Sequence, residues 1–161
     1  MKYESQDVIL LPSTVITSSS TGSVLNIPDG FVGVIFCIQA SSVSGTSPTL
    51  NLFVQDQIFP AATADAVLSK GTGTVIFDDF YAATQITGNV TKVARFTTAN
   101  MASTANAASI TTCDYSISDA ALTAGSIRPG PLGNIWRTKW TVGGTSPSFT
   151  VNVTAKLIAW T

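Results

Sequence analysis

Histidine is absent from this 161-residue chain, glutamate occurs once and cysteine twice. The missing imidazole removes the commonest general base and the commonest metal ligand. Cys37 and Cys113 stand too far apart to build a zinc-type spacing. No catalytic residue, no cofactor-binding residue and no metal ligand is therefore expected, and the chain is not expected to be an enzyme. Charge is scarce as well: Asp, Glu, Lys and Arg make up 11% of the residues, against about 25% in an ordinary globular domain. The eight Lys and Arg are scattered and the net charge is −1, so nothing gathers the cations that neutralising nucleic-acid phosphates requires. No apolar run approaches the ~18 residues of a membrane span, so no membrane partner is expected. The run Val8-Ile9-Leu10-Leu11 follows an acidic start and stops at Pro12. That is the wrong pattern for a secretory signal, and a cytoplasmic origin is the expectation.

Ser and Thr are abundant instead, at about a quarter of the chain, and both favour strands and turns over helix interiors. A hydroxyl-rich, weakly charged exterior protects poorly against association, which points to a surface that neighbouring subunits cover. Apolar residues still make up 45% of the total, enough for one core, and the length fits a single domain over 1–161.

The dominant period along the chain is two. Residues 24–27 end at Pro28-Asp29-Gly30, and 31–40 then read as a strand buried on both faces. Further strand candidates are 50–55, 74–81, 92–97, 110–117, 135–142 and 149–160, separated by Gly, Pro, Asn, Asp and Ser. Trp136, Thr138, Trp140 and Val142 share one face, opposite Ile135, Arg137, Lys139 and Thr141. Phe149, Val151, Val153, Ala155, Leu157 and Ala159 do the same on the next strand. The expected fold is an all-β, antiparallel sandwich or jelly roll. Only 61–68 suggests a helix, of about two turns at most. Two segments stand apart: 1–12, read as an extended N-terminal arm able to add to a neighbour's sheet edge, and 97–125, a polar insertion rich in Ala, Ser and Thr.

Gly45-Thr46-Ser47-Pro48-Thr49-Leu50 recurs as Gly144-Thr145-Ser146-Pro147-Ser148-Phe149. Glycine supplies positive φ and proline gives up an amide that a loop need not pair, so each copy is expected to close a hairpin. Asp78-Asp79 is the one adjacent acidic pair. Neighbouring strand residues point to opposite faces, so the two carboxylates cannot converge as a glycosidase pair must; a Ca²⁺ site with loop carbonyls is open, but solvated turn or strand-end charges are the expectation. Trp136, Trp140, Trp160 and Tyr81 fit a sugar-stacking platform or a core, and core or subunit interface is preferred. Cys37 reads as a small core residue, and two free thiols are favoured over a disulfide with Cys113. The glycosylation triplets at Asn89 and Asn152 are read as chance matches.

Residues 135–153, from Ile135-Trp136-Arg137-Thr138-Lys139-Trp140 through Gly143-Gly144-Thr145-Ser146-Pro147-Ser148-Phe149 to Val153, resemble the closing hairpin of small virion proteins of tailed bacteriophages. Ser42 to Leu50 is similar to an earlier hairpin of the same proteins. The resemblance covers about a third of the chain and is to the β-sandwich or jelly-roll head proteins of the decoration, or cement, type. It implies a virion protein on the outside of a capsid, a homotrimer bridging neighbouring major capsid proteins by buried surface alone. A tail or neck component and a carbohydrate-binding sandwich are the other readings carried forward.

Overall fold

Alternating apolar residues become strands throughout the computed structural model, which describes residues 3–59, 76–97, 122–127 and 133–160. In chain order they are β1 (Tyr3–Ile16), β2 (Ser20–Thr21), β3 (Leu25–Asn26), β4 (Phe31–Phe59), β5 (Ile76–Ala82), β6 (Val90–Thr97) and β7 (Ile135–Trp160). No helix occurs among the described residues, hence none long and apolar enough to cross a membrane. The segment 61–68 and most of 97–125 lie outside the described residues.

All seven strands belong to one antiparallel hydrogen-bonded ladder, and its two longest members explain the architecture. β4 and β7 pair along almost their whole lengths, from Phe31 opposite Ala159 to Asp56 opposite Trp136. Both bend midway, so each serves two layers. In the first layer the order is β1, β7 (149–160), β4 (31–40) and β6. In the second it is β2 and β3, β7 (135–142), β4 (50–56) and β5. Two four-membered layers made by folding one long antiparallel pair, flanked by further strands on each side, constitute a jelly-roll sandwich. The fold class read from the alternation is thus the observed one.

The bends are where the repeated hexapeptides fall. They were expected to close two separate hairpins; instead they lie opposite each other at the register shifts of the β4–β7 pair, Thr46 facing Thr145 and Thr49 facing Gly143. Their backbones match: φ is 111° at Gly45 and 104° at Gly144, 50° at Ser47 and 49° at Ser146. Their contacts are reciprocal too. A Cβ on Gly45 would lie 2.7 Å from the Ser146 carbonyl oxygen, and one on Gly144 would lie 2.6 Å from that of Ser47. The hexapeptides are therefore a crossing, at which two strands pass from one layer to the other with backbone against backbone.

The layers meet over one apolar cluster. Phe36 of the first layer is fully buried and stacks on Tyr81 of the second, with ring centroids 5.2 Å apart and planes inclined by 8°. Trp136 packs on Phe36 at 6.1 Å and on Phe80 at 5.1 Å. Such aromatic pairs each contribute about 0.5–1.5 kcal/mol beyond the area they bury. Val34, Phe36, Ile38 and Ala40 point inward, but Ile35 and Cys37 are half-buried and Gln39 is exposed. The stretch 31–40, expected to be buried on both faces, covers the core with one face only, because no third layer lies over it among the described residues. The segment 1–12, expected as an arm, runs from Tyr3 onward within β1, paired with β7.

Candidate interaction surfaces

Of the four aromatic residues considered for sugar stacking, Trp136, Trp140 and Tyr81 are core residues, and the Trp160 side chain lies outside the described residues. Trp136 and Tyr81 are buried and Trp140 is 8% exposed. Indole N–H groups donate to the carbonyls of Gly133 and Ser18, 2.9 and 3.0 Å away. Burial pushes the Tyr81 phenol up to about 12. These three rings offer no platform to a ligand.

The outer face of the second layer carries a connected polar network. Gln55, Arg137, Lys139 and Asp79 point away from the core because each is one residue out of phase with the inward row Val54, Trp136, Thr138 and Phe80. Arg137 Nε donates to Gln55 Oε1 at 2.7 Å, and Gln55 Nε2 donates to Asp79 Oδ1 at 2.7 Å. Lys139 Nζ stands 3.8 Å from the same carboxylate. The guanidinium lies 3.9 Å from the centroid of Phe77 and the ammonium 5.4 Å from that of Phe53. Residues 122–127 close over this face: the Leu122 N–H donates to Asp79 Oδ2, and Gly125 and Ser126 exchange backbone bonds with Ala82. Asp78 and Asp79 were expected as solvated charges, yet both are buried at 5% and 3% exposure. For Asp79, the cross-strand partners Gln55 and Lys139, 24 and 60 residues away along the chain, make that burial tolerable. The chemistry of this network is consumed internally. Replacing Arg137 with Lys should destabilise the protein by about 1 kcal/mol, since an ammonium cannot keep both the hydrogen bond to Gln55 and the stacking on Phe77. A urea titration of the variant checks this.

A third buried acid, Asp56, lies directly across the β4–β5 pair from Asp78. Asp56 is 3% exposed; its Oδ2 accepts the Gly133 N–H, and its Oδ1 has no hydrogen-bond partner among the described residues. Desolvation, with a smaller contribution from the Asp78 charge, raises its pKa to about 6. Sequence spacing could not show this pair, because residues 22 positions apart meet only through strand register. No group of three or more Cys, Asp or Glu placed to hold a metal ion occurs among the described residues.

Among the described residues the outer face of the first layer is the open one. Strand registers align its residues in rows that cross all four strands. One row is Ile9, Thr154, Cys37 and Val93; the next is Asp7, Lys156, Ile35 and Arg95. Ile9 is 58% exposed and Val93 55%. Cys37, expected in the core, sits in the apolar row as a free, half-buried thiol, because its odd phase relative to Phe36 turns it outward. Lys156 and Asp7 form a surface ion pair at 3.2 Å. Val15 and Val24 add further exposed apolar residues at the β1–β3 side. The two glycosylation-like asparagines serve structure: Asn89 Oδ1 accepts the Val43 N–H, and Asn152 Oδ1 accepts the Thr154 hydroxyl.

Neither a protein-family model nor a curated protein sequence matches the chain. Among solved structures it is similar to a chain in the structure of infectious bursal disease virus Gx strain, at 11% identity and a TM-score of 0.30. The match covers 98% of this chain and 40% of that one, so the chain spans less than half the length of its neighbour.

Proposed function

We propose that this jelly roll is a non-enzymatic structural protein of a virion, a decoration protein that binds major capsid proteins on the outer surface of a bacteriophage head. The observation that carries the reading is the open face of the first layer. It is weakly charged and hydroxyl-rich, and it exposes Ile9 and Val93 at its edges, a composition suited to cover by another protein surface. Two further observations support it. The polar groups Asp79, Gln55 and Arg137 are bonded to one another in series. The segments that resemble phage head proteins, 42–50 and 135–153, contribute the crossing on which both layers depend.

The mechanism in this reading is added interface. Each subunit buries about 1,600 Å² in total against its neighbours, and mass action over many copies shifts the shell toward its closed state. Homotrimers straddling adjacent capsid proteins would serve this purpose. Purified protein incubated with undecorated phage capsids is expected to sediment with them in high copy and to raise their thermal disruption temperature. Binding at a few copies per particle without any thermal shift would instead favour a tail or neck component. An absence of binding to any viral shell would overturn the proposal.

A further inference from the structure

We propose that the chain associates head to tail with further copies of itself, the β6 edge of one copy adding to the β1 edge of the next so that the first layer continues across the junction. Among the described residues β1 pairs only with β7, and β6 only with β4. Among the described residues, then, no strand occupies either outer edge of the layer, and each can accept another strand.

Strand direction makes the junction feasible. β1 is antiparallel to β7, β7 to β4, and β4 to β6, so three reversals leave β1 and β6 antiparallel to each other. A second copy displaced sideways, without being turned over, brings its β6 antiparallel to β1 with both cores on the same side of the joined sheet.

The rows set the register. If they run on across the junction, Val93 of one copy meets Ile9 of the next, and Arg95 meets Asp7. The first contact pairs two β-branched residues that are each more than half exposed in the single copy. The second sets opposite charges directly across a strand pair. One register satisfies both. The pairing is bounded naturally: β1 has register shifts beyond Ile9 and carries Pro12, whereas β6 pairs without a shift from Val90 to Thr97. In the register set by the rows the regular parts overlap where residues 5–9 face 97–93, and the pairing ends where Val90 to Lys92 would meet the irregular stretch Leu10 to Pro12.

Symmetric alternatives are disfavoured by charge. A junction of two β6 strands would bring only the cations Lys92 and Arg95 together, and one of two β1 strands only the anions Glu4 and Asp7, with no opposite charge to set against them. Head-to-tail contacts close into a ring when the rotation per copy divides the circle and otherwise grow into a chain. This inference deepens the structural reading above, yet it is separately measurable, since self-association needs no capsid.

Sedimentation velocity of the full chain from micromolar to millimolar concentration is the test. Native protein is expected to form species larger than dimers as concentration rises. Asp7→Arg and Arg95→Asp should each weaken this association about tenfold, and Val93→Lys should do likewise, with unchanged β-type circular dichroism because all three positions are exposed. An equimolar mixture of Asp7→Arg and Arg95→Asp chains should recover the association. In that mixture the two altered edges meet each other, and the untouched Arg95 meets the untouched Asp7. A native chain that stays monomeric at millimolar concentration, a dimer that grows no further, or a mixture no more associated than its components would overturn the proposal. Loss of capsid binding with self-association intact would count against the decoration reading alone.

Discussion

Gly144→Ala is expected to destabilise the protein by about 3 kcal/mol, with the same direction and similar size for Gly45→Ala. Two costs combine. At φ of 104° and 111° an L residue is strained by about 1–3 kcal/mol, and the added methyl would press on the backbone of the opposite hexapeptide, 2.6 or 2.7 Å away. Backbone at a strand crossing cannot rotate aside as a side-chain end can. Gly88→Ala is the control, because it has open space around it and no positive φ, and it should stay within about 0.5 kcal/mol of the native chain. The two crossing substitutions should also couple. Each forces the same pair of backbones apart, so the double variant should lose less than the sum of the singles. Urea unfolding followed by tryptophan fluorescence measures all four proteins; losses at Gly45 and Gly144 no larger than at Gly88 would refute the tight crossing.

Stability should also fall as pH rises through about 6, and Asp56→Asn should abolish most of that fall. The folded-state pKa of Asp56, about 6, lies above its unfolded value of 3.8. The native state therefore holds this proton more tightly than the unfolded chain does. Below pH 3.8 the carboxyl is neutral in both states and the fold keeps its full stability from this group. Between 3.8 and 6 the unfolded chain ionises first, and above 6 the native protein must carry a desolvated carboxylate facing Asp78. Allowing for partial screening by solvent, the loss by pH 8 is about 2 kcal/mol. Asparagine keeps an oxygen for the Gly133 N–H and removes the charge, so the variant should outlast the native chain at pH 8 and show a nearly flat profile from pH 5 to 8. Parallel pH profiles for the two proteins would show that Asp56 does not titrate in this range.

Both results would turn on residues that look ordinary in the sequence. Gly144 stands in a stretch whose turn chemistry is evident, and its need for positive φ could be anticipated. What the turn connects could not, because a Gly-Thr-Ser-Pro segment suits a hairpin tip and a mid-strand bend equally well. Only the pairing of Thr46 with Thr145 separates the two. Asp56 gives still less warning, standing between Gln55 and Gln57 like any polar strand residue; its partner Asp78 is a matter of register.

The outer surface shows the same division. Ile9 and Val93 read as unremarkable members of alternating strands, and Cys37 as part of a continuous apolar run. Their alignment in one row requires three strand registers at once, 9 with 154, 154 with 37, and 37 with 93. The face assignments within 135–142 and 149–159 were legible, because Trp136, Thr138, Trp140, Phe149, Val151, Val153, Ala155 and Leu157 are buried as the alternation requires, with Val142 and Ala159 half-buried at the ends of the rows.

What the amino-acid order determined by itself is local: a period of two, breakers between the runs, hydroxyls where charge would ordinarily stand, and hence a sandwich of antiparallel strands. These follow from backbone geometry and side-chain polarity over a few neighbouring residues. The tertiary structure alone decided which strands are edges, which carboxylates face each other and which apolar residues align on the open face. Those depend on pairing between segments tens to more than a hundred residues apart, and a shift of one residue in any register would send the same side chains to the other side of the sheet.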